Sequence, residues 1–101
     1  MECVTILSVI KSFKCEETEK IFNRSFSHKL PQGIQRVAMR KLLVLDAVEN
    51  LNDLRVPPSN YLEALKGKRE GQYSIRINKQ WRICFKWREG NVYDVEIVDY
   101  H

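Results

Sequence analysis

The last three residues of the sequence, Asp99-Tyr100-His101, all carry side chains that can move or orient protons. They follow the segment VEIV at residues 95–98, whose apolar positions predict a buried strand. A histidine near its ordinary pKa of about 6.5 can serve as an acid or as a base. A chain terminus usually frays and carries no chemistry, so the rest of the sequence decides whether the end of this strand enters a site of acid–base chemistry.

Two arginines upstream, Arg76 and Arg82, supply the fixed positive charge that phosphate chemistry needs. To cleave RNA without a metal ion, a protein must take a proton from the 2′-OH as that oxygen attacks the adjacent phosphorus. It must also stabilise the pentacoordinate phosphorane and return a proton to the leaving 5′-oxygen. His101 and the arginines match these needs, and Tyr100 can hold a phosphate or stack on a base.

Positive charge is concentrated between residues 66 and 88. This segment holds eight Lys or Arg residues and one acid, Glu70, so its net charge is +7, whereas the rest of the chain carries −3. A basic block on an otherwise acidic chain indicates a polyanionic partner, with nucleic acid the first candidate. On the charge distribution alone, a solvated sheet face without a partner is an equally good explanation.

The composition argues against several classes of protein. A chain of 101 residues supports a single domain, which we expect to span residues 1–101. No apolar run approaches the ~18 residues of a membrane helix, and the opening CVTILSVI is too short for a signal peptide. The three cysteines form no CxxC pair, which disfavours disulfides and a zinc site and fits a reducing cytoplasm. No metal or cofactor is expected.

The first half of the chain predicts a strand followed by a helical hairpin. Residues 4–12 are rich in Val and Ile and alternate weakly, as a strand does. A short helix is predicted from Glu16 to about Asn23, and residues 34–51 repeat apolar side chains with helical spacing. The positions of this second helix expected to face the core are Ile34, Ala38, Leu42, Leu45 and Val48.

The second half changes to a period of two residues, which is typical of half-buried strands. Three strands are predicted around residues 73–77, 81–88 and 93–98, joined by the short loops 78–80 and 89–91. Loops of this length favour an antiparallel meander. A helical pair packed on this small sheet makes the predicted fold class α+β.

The apolar faces of these strands predict their register. Across the first loop, Ile75 opposite Ile83 places Arg76 opposite Arg82. Like charges in directly opposite positions are destabilising, so this pair indicates a place where an anion binds. We expect both arginines, the basic loop LKGKREG and the C-terminal residues to converge at one end of the sheet.

Across the second loop, the same matching places Lys86 opposite Asp94 and Trp81 opposite Asp99. Lys86 and Asp94 form a favourable cross-strand ion pair. The Trp81–Asp99 pairing brings the end of the last strand beside Arg82. From the residues alone, we expect a basic α+β domain that binds nucleic acid, with ribonuclease activity as the sharper hypothesis.

Four motifs support a resemblance to a known family: LKGKREG at residues 65–71, SIRI at 74–77, QWRICF at 80–85 and the final DYH. Their combination closely resembles the HigB branch of the RelE-like bacterial toxins, and the likeness covers residues 9–101. It implies the RelE-like microbial ribonuclease fold, in which an N-terminal strand and a two-helix hairpin pack on a small antiparallel sheet. Residues 1–8 lack a counterpart, and two interpretations stay open: an N-terminal extension of the strand, or an upstream start, since Val9 falls where relatives have their initiating Met.

The resemblance also implies an activity and partners. Members of this family are mRNA interferases that enter the ribosomal A site and cut the message there. They are encoded beside a HigA-like helix-turn-helix antitoxin that binds the toxin and represses their shared operon. The expected partners are this antitoxin, the ribosome with its mRNA, and operator DNA indirectly through the antitoxin complex, with no membrane.

Carried over by position, the resemblance assigns site residues. The matches to catalytic or phosphate-binding residues are Arg82, Asp99, Tyr100 and His101. The RNA-binding candidates, in the basic loop and on the strand after it, are Lys66, Lys68, Arg69 and Arg76.

Glu63 departs from the family pattern, because it stands where relatives place a histidine. A carboxylate there can still exchange protons, but it adds negative charge beside a phosphate. Glu63 is therefore a further catalytic candidate, and its presence predicts a slow enzyme.

Two functions compete. The leading one is a ribosome-dependent endoribonuclease. The alternative is a non-catalytic inhibitor or assembly factor that occupies the ribosome with the same basic face. Each site residue also has a structural explanation: Asp99 pairs with Arg82, for example, and the loop lysines are solvated charges of a turn.

Overall fold

Two helices and a four-stranded sheet make up the part of the chain, residues 8–99, that the computed structural model describes. The helices are α1 (Glu16–Phe22) and α2 (Gln32–Ala47), and short 3-10 helices follow at Leu51–Arg55, Pro58–Asn60 and Gly67–Arg69. The strands are β1 (Glu63–Ala64), β2 (Gln72–Arg76), β3 (Trp81–Arg88) and β4 (Asn91–Asp99). They form one antiparallel sheet in the order β1-β2-β3-β4. The predicted α+β class is confirmed.

The apolar stripe of α2 packs on one face of the sheet. All five positions predicted to face the core are buried, at 0–7% exposure. They join Ile75, Ile83, Phe85 and Val95 from the strands in a single hydrophobic cluster. The helix ends at Ala47, earlier than the apolar pattern suggested, because Val48 is extended. Val48 is nevertheless buried, so it continues the stripe without continuing the helix.

The predicted N-terminal strand, residues 4–12, is described only from residue 8 onward. Isolated parallel bridges, Ile10 with Val92 and Phe13 with Val95, place this segment along the outer edge of β4. The hydroxyl of Ser12 accepts a hydrogen bond from the Asp94 amide at 2.9 Å. The segment therefore covers an edge strand that would otherwise present unpaired backbone groups.

The register of β2 on β3 is the predicted one, with Ile75 opposite Ile83. The register of β3 on β4 is only half as predicted. Near the loop it is shifted by one residue, because Glu89 and Gly90 alone make the turn, both with positive φ (50° and 81°). Such a two-residue turn matches the twist of a hairpin.

A β-bulge then restores the predicted register further along the pair. Two β4 residues, Asp94 and Val95, lie opposite the single residue Phe85. Lys86 consequently lies opposite Tyr93 rather than Asp94, which corrects that prediction. The Lys86–Asp94 ion pair still forms, with a 3.2 Å separation.

No helix within residues 8–99 is long and apolar enough to cross a membrane.

A buried hydroxyl fastens α1 to the sheet. Thr18 has no exposed surface, and its Oγ1 accepts a hydrogen bond from the Ile97 amide at 2.9 Å. An amide left unpaired in the interior costs ~1–3 kcal/mol. The bond therefore fixes the position of α1 relative to the end of β4.

We expect Thr18→Val to lower the free energy of unfolding by ~1–3 kcal/mol, because valine has the shape of threonine but leaves the Ile97 amide unpaired. Urea denaturation measures the change. Thr18→Ser is the matched control: it keeps the hydroxyl and loses only a methyl group, for ~1 kcal/mol. A valine variant as stable as the wild type would show that the bond contributes nothing.

Candidate nucleic-acid interface and active site

The sheet face that points away from the helices is polar, yet its centre is not solvated. Ser74, Arg82 and Cys84 lie there at 0%, 3% and 0% exposure, respectively. Burial of an arginine is costly unless its charge and its N–H groups find partners. The environment of Arg82 therefore decides what this face can do.

The Arg82 guanidinium is held on several sides. Its Nε donates to the Ser74 hydroxyl at 2.7 Å, and its Nη2 donates to the Tyr61 carbonyl at 2.6 Å. The same Nη2 lies 3.5 Å from a carboxylate oxygen of Glu63. These contacts fix the plane of the guanidinium before any ligand arrives, which is the preorganisation that electrostatic catalysis needs.

The Tyr61 carbonyl is in place because the residue before it is anchored. Asn60 is 1% exposed, and its Nδ2 donates to the carbonyls of Leu54 and Val56 at 3.1 and 3.3 Å. Its Oδ1 accepts a hydrogen bond from Lys41 on α2. Burial lowers the pKa of Lys41. The connection between α2 and β1 is thus tied to the helix just ahead of the site.

Arg76 lies opposite Arg82 in the sheet, as predicted. The two side chains avoid each other, because Arg82 reaches across to Ser74 while Arg76 stacks on Tyr61. The Arg76 guanidinium carbon is 4.0 Å from the centre of the Tyr61 ring, a cation–π contact. The Nε of Arg76 is buried and has no hydrogen-bond partner in the described part of the chain.

Glu63 lies at the edge of this arrangement, between Arg82 and solvent. Its side chain is half exposed, whereas that of Arg82 is 4% exposed. An ion pair with one exposed member is screened and adds little stability. Glu63 is therefore only weakly bound to the Arg82 guanidinium, and another anion can displace it.

Asp99 is opposite Trp81, as predicted, at the same end of the sheet as Arg76 and Arg82. Its Oδ2 accepts a hydrogen bond from Gln80 Nε2 at 3.1 Å. The turn that carries Gln80 is held by the Asn78 side chain, which accepts from the amides of residues 80 and 81, both at 2.8 Å. Tyr100 and His101 lie outside the described residues, so their placement remains a prediction.

The basic loop of residues 65–71 is not at that end. It joins β1 to β2 before Gln72, whereas Arg76 closes β2. A strand of this length separates its two ends by about 13 Å. The prediction that the loop, both arginines and the C-terminal residues converge at one end is therefore wrong for the loop, because the β1–β2 hairpin turns at the far end.

The basic side chains of this loop differ in their contacts with the rest of the protein. Lys66 and Lys68 are exposed. Arg69 instead folds back over the polar face, where its Nη1 donates to Glu96 at 3.0 Å and to Gln72 at 3.2 Å. The hydrogen bond to Glu96 raises the pKa of Arg69. Arg69 therefore links the loop to the sheet, and the two lysines are the loop cations that point to solvent.

Cys84 is fully buried in the middle of this face, and burial raises the pKa of its thiol. Cys84 and Cys15 are both free cysteines. Among the described residues, no group of three or more His, Cys, Asp or Glu side chains is placed to hold a metal ion.

Sequence reasoning missed two residues of the site. Ser74 carried a signal, because strand alternation places it on the same face as Arg76 and Arg82. Tyr61 carried none, since its role depends on a left-handed backbone conformation (φ 45°, ψ 57°) at the end of a 3-10 helix.

The fold is similar to that of known crystal structures. The crystal structures of YafQ from E. coli and of a mutant form of it superpose with TM-scores of 0.55 and 0.56. Sequence identity is 12% and 15%, and each match covers 89% of this chain and 90% of the other. At this identity the likeness concerns the fold alone.

Sequence comparison then identifies the family. A family described as the RelE-like toxin of type II toxin-antitoxin system HigB matches residues 11–101. Toxin HigB-1 of Vibrio cholerae is 42% identical over 79 residues, which are 77% of this chain and 83% of that protein. Endoribonuclease HigB of Proteus vulgaris is 33% identical over 94 residues, 92% of this chain and 100% of its own length. The chain belongs to the HigB-like family of type II toxins, and its family implies an antitoxin partner.

We expect Arg69→Gln to lower the free energy of unfolding by less than ~1 kcal/mol, because the Arg69–Glu96 contact is partly screened. The loss should shrink as salt is added. Lys86→Gln is the matched control, because its carboxylate partner Asp94 is more exposed than Glu96, the partner of Arg69. Urea denaturation at low and high NaCl measures this change, because guanidinium chloride is itself a salt and would screen the ion pair. Equal effects for both variants would mean that Arg69 is an ordinary surface charge.

Proposed function

We propose that this protein is a ribosome-dependent endoribonuclease, the toxin of a type II pair, which cleaves mRNA in the ribosomal A site. Membership of the HigB-like family supports the toxin role, and a relative named Endoribonuclease HigB supports the activity. The structural observation that carries the proposal is the preorganised Arg82, beside Arg76 and at the same end of the sheet as Asp99.

The reaction is attack of a 2′-oxygen on the adjacent phosphorus with departure of the 5′-oxygen. A base removes the 2′ proton, the bond from phosphorus to the 5′-oxygen breaks, and an acid returns a proton to that oxygen. Arg82 stabilises the negative charge that develops on the phosphorane. His101 and Asp99 together supply this acid–base pair, and Tyr100 holds the phosphate.

RNA binding is electrostatic over a wider area than the reacting group. The exposed Lys66 and Lys68 contact the backbone on one side of the scissile bond, and Arg76 contacts it at the catalytic end. Arg69 adds positive electrostatic potential to this surface but keeps its hydrogen bond to Glu96. Affinity for programmed ribosomes should therefore fall steeply with salt, and Lys66→Glu with Lys68→Glu should weaken it sharply.

The antitoxin is a HigA-like helix-turn-helix protein in this proposal. It binds the toxin directly, and operator DNA is contacted only through the complex of the two proteins.

Cleavage is tested by incubating the purified protein with ribosomes that hold a defined message and mapping the new 5′ ends. The proposal predicts ends within the A-site codon, each with a 5′-hydroxyl, and none on the same message without ribosomes. Inhibition of translation with no new 5′ ends would establish the alternative, a non-catalytic inhibitor that occupies the ribosome.

Arg82→Ala should reduce single-turnover cleavage by roughly 10²–10³-fold, the effect of removing one preorganised donor. Ribosome binding should change little, because this contact strengthens only as charge develops. Arg82→Lys should restore part of the rate, since an ammonium lacks the planar fork. Circular dichroism of each variant is required, because Arg82 also holds Ser74 and Tyr61. Full activity in a folded alanine variant would remove Arg82 from the mechanism.

Glu63→Gln should raise the single-turnover rate roughly two- to five-fold, because it removes an anion that competes with phosphate for Arg82 at a screened site. Glu63→His should be faster still and more toxic. Glu89→Gln, an exposed carboxylate in the β3–β4 turn, is the matched control and should change nothing. A collapse of the Glu63→Gln rate to that of Arg82→Ala would make Glu63 an essential proton carrier.

A further inference from the structure

We propose that Tyr61 is a nucleobase-stacking residue, which holds one base of the bound RNA beside the phosphate that Arg82 contacts. This inference rests on the proposed function for the identity of the ligand. It adds a binding residue that neither the charge pattern nor the sequence motifs indicated.

The Tyr61 ring is one of the few large apolar groups exposed in the described part of the chain, at 54% of its surface. One side of the ring is covered by the Arg76 guanidinium at 4.0 Å. A base that stacks on the other side would complete an Arg–Tyr–base sandwich. Stacking on an aromatic ring tolerates any base, because every base has a π-face.

The backbone of Tyr61 connects the ring to the catalytic end of the face. The carbonyl of this residue accepts the 2.6 Å hydrogen bond from Arg82 Nη2. A base on the ring therefore belongs to a nucleotide near the phosphate on Arg82, since ring and carbonyl are parts of one residue. Glu63, which pairs with the same guanidinium, follows two positions later.

The conformation of Tyr61 is unusual for a tyrosine. Its φ of 45° and ψ of 57° lie in the left-handed region, which costs a residue with a side chain ~1–2 kcal/mol. Such strain concentrates at functional sites when surrounding contacts enforce it. Here the buried Asn60, with its bonds to Leu54 and Val56, supplies that enforcement. The Tyr61 backbone is thus anchored while its ring stays exposed.

A second arginine–tyrosine contact provides a matched control. The Arg88 guanidinium lies 5.2 Å from the centre of the Tyr93 ring, at the opposite end of β3 from Arg82. It shares the residue types of the Tyr61 site without its neighbours. Tyr93→Leu should therefore change overall stability without affecting recognition of a base.

The test is a double-mutant cycle between the protein and the message. Affinity is measured for ribosomes whose A-site codon carries 2′-deoxynucleotides, so that binding is read without cleavage. One position of the codon at a time is made abasic. The proteins are wild type, Tyr61→Phe, Tyr61→Leu and Tyr93→Leu, each checked for a wild-type circular dichroism spectrum.

At one codon position, removal of the base should weaken binding of the wild type and of Tyr61→Phe by about ten-fold. Tyr61→Leu should be weaker by a similar factor on the intact codon and should lose nothing further at that abasic position. Tyr93→Leu should behave as wild type. The inference is overturned if Tyr61→Leu binds as tightly as wild type, or if it loses the same factor as wild type at every abasic position.

The outcome is separable from that of the proposed function. Coupling between Tyr61 and one base in a protein that cuts no message would keep the stacking residue and reject the nuclease. Cleavage without coupling would keep the nuclease and reject the stacking residue. If Tyr61→Leu fails to fold, Tyr61→Phe and Tyr61→Trp carry the test, because loss of abasic sensitivity in either aromatic variant contradicts stacking.

Discussion

A buried guanidinium is the constraint on which the rest of this site depends. Arg82 is 3% exposed, and a charge at that depth persists only if protein groups replace its water. Ser74 supplies a hydroxyl from the neighbouring strand, and Tyr61 supplies a carbonyl from the segment that precedes β1. The segment from Tyr61 to Glu63, which leads into β1, is therefore part of the arginine's environment, and a ligand meets a donor group whose orientation is already fixed.

Arg82 belongs to one of two sheet faces of different character, because successive side chains of a strand point to opposite faces. One face carries the hydrophobic core that contacts α2, and the other carries Arg82, Cys84 and the Arg69–Glu96 pair. Ion pairs on the polar face add little net stability, because partly exposed pairs are screened and buried ones barely offset their desolvation. We propose that this face serves instead to recognise a polyanion. Glu63 reduces the positive charge of that surface, because its half-exposed carboxylate pairs with Arg82 from the solvent side.

The parts of this fold that follow local periodicity were predictable from the sequence. The α2 stripe and the Arg76–Arg82 pairing were correct because a residue's face on a helix or strand depends only on its neighbours. The bulge opposite Phe85 was not predictable, since a positive φ at Asp94 depends on Ser12, 82 residues away. The position of the basic loop, at the end of the sheet far from Arg82, was also not predictable from local sequence. It follows from the two-residue strand β1, whose sequence has no strand signal, and the Tyr61 turn likewise depends on contacts with α2.

The proposed mechanism is tested by single-turnover cleavage of a ribosome-bound message that carries one 2′-deoxynucleotide at the mapped cleavage position. The mechanism requires the 2′-oxygen as nucleophile, and every role assigned to Arg82 and His101 depends on that attack. We expect cleavage at this position to disappear while the protein still binds the ribosome. Cleavage at an unchanged rate would contradict it, because the phosphodiester would then be broken by another nucleophile.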